Sequence, residues 1–116
     1  MVISFEELTL DPMKQGPIWS HRGGQLDVNI LYFEAGQGVE LHTNPSLDVW
    51  VIVISGAGEA TIDNGVYSLA PGTCLYIPAG ASRSIRSVTT SLVYASCHQK
   101  RPALMPIVVE PGEALR

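Results

Sequence analysis

The 116-residue chain is 46% apolar and 16% charged, with a net charge of −4. That composition suits a single packed domain and excludes a disordered chain. Its seven Lys and Arg residues form no cluster, so neither nucleic acid nor anionic lipid is expected as a partner.

Residues 1–25 open the chain with a weak pattern. Glu6 and Glu7 read as a solvated turn, and the segment lacks the basic stretch and continuous apolar run of a secretory leader. The longest apolar run, Val49 to Ile54, is far too short to cross a bilayer, so a cytoplasmic location is the expectation. His21, two residues after Trp19, reads as a solvated or hydrogen-bonded histidine. Short β-branched and aromatic runs then alternate with Gly, Pro, Asn and Asp, the signature of strands joined by turns. They predict strands at Leu26–Phe33, Asp48–Ile54, Glu59–Ile62, Tyr67–Leu69, Thr73–Ile77, Ser82–Ser87 and Ser91–His98. Asp63-Asn64-Gly65 is a hairpin turn, since Asn and Gly accept the positive φ that a tight turn needs. After Arg101, Ile107-Val108-Val109 is a candidate edge strand hemmed by Pro102, Pro106 and Pro111. Met105 reads as packing. Cys74 and Cys97 lack the spacing of a disulfide framework or a metal site and read as free thiols. Adjacent strand residues face opposite ways, which disfavours a direct Cys97–His98 pair.

So many short strands argue for an all-β sandwich or barrel. Val49-Trp50-Val51-Ile52-Val53-Ile54 has no polar face, so both of its sides must be covered. One side fills a barrel. The other needs a second subunit, which makes a homodimer the expectation, or a terminal segment folded back. Trp50 reads as core or interface packing.

The stretch from Gly36 through His42, Asn44 and Asp48 to Gly56 resembles the first motif of the cupin superfamily, G-x5-H-x-H-x3-4-E-x6-G. The stretch from Gly72 through Pro78, Gly80 and Arg83 to Ser87 resembles the second, G-x5-P-x-G-x2-H-x3-N. Gly36, His42, Gly56, Gly72, Pro78 and Gly80 stand in register, and the two motifs span about half of the chain. The resemblance implies a double-stranded β-helix, or jelly-roll, barrel of the RmlC-like type, one cupin domain over residues 1–116. Its motif-bearing core covers about 36–98, with the arm 1–25 and the tail 101–116 peripheral or at a dimer interface. Glycines permit the corners where strands cross between sheets, and Pro78 fixes a turn.

In metal-binding members, two His and one Glu of the first motif and the His of the second converge on one ion. Here the first is kept as His42, and the second is Asn44, a poor partner for a transition metal. The second-motif His is replaced by Arg83, a permanent cation that cannot coordinate. Counting back from Gly56 puts Val49 at the Glu position, whereas counting on from Asn44 puts Asp48 there. A bulge decides between them. A guanidinium beside a dication is repulsive, so no metal cofactor is expected, and His42 is the one weak candidate ligand and the one weak candidate catalytic base.

Two readings of the pocket follow. In one, Arg83 offers a planar fork of donors to a carboxylate or phosphate, flanked by His42 and Asn44, with Tyr76 or Tyr94 as an aromatic wall; the protein then binds a small anionic metabolite without metal. In the other, Arg83 pairs with Asp48 and fills the pocket of a non-catalytic dimeric scaffold. A metal-dependent enzyme of dioxygenase or isomerase type, using His42 and further ligands, is the third class, because the fold alone does not choose a chemistry. The shared face of Tyr94, Ser96 and His98 is left open.

Overall fold

The computed structural model describes residues 1–100. A short 3-10 turn at Phe5–Glu7 precedes seven strands: β1 Gly16–Arg22, β2 Leu26–Phe33, β3 Gly38–Thr43, β4 Val49–Ile62, β5 Gly65–Leu69, β6 Cys74–Ile77 and β7 Ser82–Gln99. All pairings are antiparallel. β2, β5 and β6 fall close to the expected runs. Two pairs of expected strands are instead single long ones: Asp48–Ile54 with Glu59–Ile62 makes β4, and Ser82–Ser87 with Ser91–His98 makes β7. Residues 16–22 of the arm form β1, which pairs with β2 at the edge of the sheet. The candidate strand at 107–109 and Met105 lie outside the described residues.

The length of β4 and β7 is what builds the barrel. Residues 49–56 of β4 pair with 92–98 of β7, whereas residues 58–62 of β4 pair with 83–87 of β7. The first pairing is flanked by β2 and β6, the second by β3 and β5. Both strands therefore run from one sheet into the other, and the inner faces of the two sheets meet in one core. Leu31, Phe33, Val49, Val51 and Val53 of the first sheet pack there with Ala60 and Ile85 of the second. Each fully buried Val or Leu in that set contributes roughly 1.5–3 kcal/mol. This is an all-β jelly-roll barrel.

The bend in β4 needs a residue without a side chain. The register shifts between Val53 and Ser55 and again between Gly56 and Gly58, as bulges at a barrel corner do. Gly56 sits there at φ +82, and a Cβ on it would lie 1.8 Å from the Ser91 carbonyl oxygen. Ser87, at the end of the second motif, ties the neighbouring corner by donating its hydroxyl to the Glu34 and Gln37 carbonyls. In the β4–β5 hairpin the positive φ falls on Asp63 (φ 49), whose carboxylate accepts from the Ser82 N–H at 3.0 Å.

The outer face of the first sheet is covered in part by the chain itself. Phe5, Leu8, Ile18, Trp19 and Ile54 pack against Ile30, Tyr32 and Val93, so the N-terminal segment does fold back. It does not reach Trp50, which is 42% exposed.

The corner carries a test. Gly56→Ala combines an unfavourable φ with a backbone clash and is expected to cost at least about 2 kcal/mol in urea unfolding. A change below about 0.5 kcal/mol would show that the crossing does not rest on this residue.

Candidate functional site

Strand alternation decides which side chains enter the barrel. On β4, Val49, Val51 and Val53 are buried and point inward, while Trp50 points out. On β7, Arg83 and Ile85 share an inward face near the start, and Leu92, Tyr94 and Ser96 share one near the end. His42 on β3 lies directly opposite Arg83 on β7, a pairing that brings Cβ atoms to about 5 Å. These groups surround a cavity of about 20 Å³, with His42, Arg83 and Ser96 as its polar wall and Val49, Val51, Ile77 and Ile85 among its apolar one. That space holds a water molecule; an anion of several heavy atoms needs the walls to move.

The polar wall is under-satisfied. Arg83 is only 3% exposed and makes one hydrogen bond, from Nη2 to the Pro78 carbonyl at 3.2 Å. Its Nε and Nη1 are buried without a partner, as are Nε2 of His42 and Oγ of Ser96. Burial pulls the guanidinium below its ordinary pKa and the charge of Asp63 acts the other way; the group stays cationic at neutral pH. Among the described residues the one ion pair is Arg22–Asp27, at 3.3 Å. Tyr94 adds an aromatic wall and stacks on Phe33 with ring centroids 6.2 Å apart.

Three of the expected site residues are placed elsewhere. Asp48 precedes β4, and no bulge turns it inward. Val49 takes the inward position, and the Asp48 carboxylate accepts hydrogen bonds from the Tyr76 hydroxyl and, at 2.7 Å, the Ala79 N–H. Asp48 and Tyr76 are therefore exposed on the outer side of the wall, and the Asp48–Arg83 filler pair does not form. Tyr76 faces out because it is the cross-strand neighbour of Trp50. Asn44 is buried but closes a turn, its Oδ1 accepting from the N–H groups of Ser46 and Leu47 at 3.0 and 3.2 Å. His42, Arg83 and Tyr94 are brought together. The two questions the sequence leaves open, Asp48 against Val49 and the facing of Ser96, are decided by the strand register, which turns Val49 and Ser96 to the cavity. The uniformly apolar run 49–54 carries no alternation that could place Val49, and nothing in the residues of β7 fixes which face of 91–98 turns in.

The remaining histidines and cysteines stay outside the cavity. His21 is exposed and stacks on Trp19. His98 is buried and donates from Nδ1 to the Gln99 carbonyl at 2.9 Å rather than to Cys97. Cys74 and Cys97 are free thiols.

The positions that hold metal in the resembled family do not fit an ion here. They are filled by one imidazole, a turn-capping amide, a valine and a guanidinium. Among the described residues no three His, Cys, Asp or Glu side chains converge.

The Asp48–Tyr76 contact sets a pH-dependent expectation. The Tyr76 hydrogen bond, then the Ala79 N–H, hold the Asp48 carboxyl below its ordinary pKa, and Tyr76 is raised in turn by Asp48. A depressed carboxyl stabilises the fold above its unfolded pKa and loses that contribution as pH falls through the folded value. Tyr76→Phe is thus expected to move the NMR titration of Asp48 upward and leave the cavity untouched. An unmoved titration would contradict the pairing.

The profile of the family described as "Cupin domain" matches residues 29–95. Similar solved structures include a protein of Thermus thermophilus (19% identity, TM-score 0.74, covering 87% of this chain and 98% of that one). A cupin protein from Bacteroides fragilis is 24% identical, with a TM-score of 0.62 and 76% of each chain covered. A putative sugar phosphate isomerase from Acidithiobacillus ferrooxidans is 29% identical, with a TM-score of 0.60, covering 66% of this chain but about half, 51%, of that one. No functionally curated protein matches the sequence.

Proposed function

Because this chain belongs to the cupin family, we propose that it is a metal-independent member that binds a small anion inside the barrel, with Arg83 as the principal contact. The observation that carries the reading is the guanidinium itself. It is a permanent cation, buried, and left with two unpartnered donor nitrogens facing a cavity. An uncompensated buried charge costs several kcal/mol, and a fold does not keep one without a use for it. A carboxylate or similar oxyanion meets the planar donor edge and offsets that cost. The apolar walls and few convergent polar groups are the usual form of a small-molecule site. The anionic substrate class named for the Acidithiobacillus ferrooxidans protein agrees with this reading in charge, though the cavity of about 20 Å³ must open to admit such a group.

The test is Arg83→Met, which keeps the length of the side chain and removes the charge. With no anion present the variant is expected to be as stable as the parent or up to about 3 kcal/mol more stable. It should also lose the rise in Tm that acetate or phosphate gives the parent. Destabilisation of the variant together with a retained anion response would overturn the proposal, because the guanidinium would then be a structural strut.

The proposed assembly is a homodimer. The outer face keeps Leu26, Trp50 and Tyr76 exposed at 53%, 42% and 62%, a contiguous apolar surface of the kind that marks an interface. Light scattering is expected to give twice the 12.5 kDa chain mass, with Trp50→Glu shifting the protein to monomer. A parent that is already monomeric at high concentration would contradict it.

A further inference from the structure

The hydrogen-bond partner of His42 fixes what its other nitrogen can do. Nδ1 lies 2.9 Å from the Glu40 carbonyl oxygen. A carbonyl only accepts, so Nδ1 carries the hydrogen. In the neutral imidazole Nε2 is then a bare lone pair, and Nε2 is the nitrogen buried in the cavity wall without a partner. Arg83, directly across the β3–β7 ladder, presents the opposite character with Nε–H and Nη1–H unpaired. Ser96 adds a hydroxyl that either donates or accepts. Four of the unpartnered buried polar atoms of the described residues thus belong to one small chamber, with donors on one side and an acceptor beside them.

A pure acceptor such as acetate satisfies Arg83 and leaves Nε2 of His42 facing an oxygen lone pair. We infer that the ligand brings a proton of its own: an oxyanion whose carboxylate end lies on Arg83 while an attached hydroxyl donates to Nε2 of His42. Bicarbonate and a short 2-hydroxy acid such as glycolate have this pattern. A cavity of about 20 Å³ is the space of a water molecule, so the walls must give way for either ligand, and least for bicarbonate. The inference rests on the anion reading above and narrows it from charge to hydrogen-bond pattern.

Two pairs of probes separate the ideas. Glycolate and acetate differ by one hydroxyl, and bicarbonate and nitrate are planar monoanions of similar size of which only the first carries a hydrogen. Titration calorimetry on the parent protein is expected to show glycolate binding about three- to tenfold tighter than acetate, and bicarbonate tighter than nitrate by a similar factor. That is the range set by one buried hydrogen bond. His42→Phe keeps a ring and removes the acceptor, so the preference should collapse to about onefold while acetate still binds. Equal binding within each pair would overturn the hydroxyl inference and leave the anion reading standing. Absence of binding by all four would overturn the anion reading itself. If His42→Phe does not fold, the nitrogen-15 spectrum of the parent decides: the Nδ1–H tautomer is required, and a neutral Nε2–H form would overturn the inference.

Discussion

The antiparallel pairing of β4 with β7 is the constraint on which the molecule depends. Each strand crosses from one sheet to the other, so a single ladder both closes the barrel and sets the facing of its inner residues. Side chains alternate along a strand. Once Val51 is buried, Val49 must be too, and Trp50 and Asp48 must lie outside. The same rule, applied from the core residue Ile85, carries Arg83 inward. The cation enters the barrel because of register, and its neighbours are chosen by the strands opposite.

That geometry separates two carboxylates from Arg83, the one buried Lys or Arg among the described residues. Asp48 is held outside by Tyr76 and Ala79, and Asp63 acts on Arg83 through its charge while its carboxylate serves the Ser82 backbone. Relocating a charge into a barrel without a countercharge is unfavourable unless something else supplies the opposite sign. On the proposed reading the site inverts the electrostatics of a metal-binding cupin. Where a dication would attract anionic and neutral ligands, a guanidinium selects an anion and repels the metal.

Much of this was legible in the residues. The spacing of Gly36, His42, Gly56, Gly72, Pro78 and Gly80 identifies the family, and Gly56 has a physical role at the corner where β4 bends. Strands β1 and β3 were not legible. β1 carries Pro17 and an exposed polar end, and β3 mixes Gly38, Glu40 and His42 with few apolar residues; both are held by pairing with neighbours rather than by local pattern. The break expected near Gly56 and Gly58 was real as a bend but not as an end, since a bulge lets one strand continue into the second sheet. The ambiguity between Asp48 and Val49 was one residue of register, which in a strand reverses the face. Only tertiary pairing resolves that.

Whether Arg83 holds an anion is decided by a crystal structure of untagged protein grown in glycolate, with anomalous scattering recorded to identify any metal. A carboxylate within hydrogen-bond distance of Nε and Nη1 of Arg83 and no anomalous peak beside His42 are the expected result. A metal ion bound by His42, or a guanidinium turned out to solvent over a dry cavity, would contradict the anion reading.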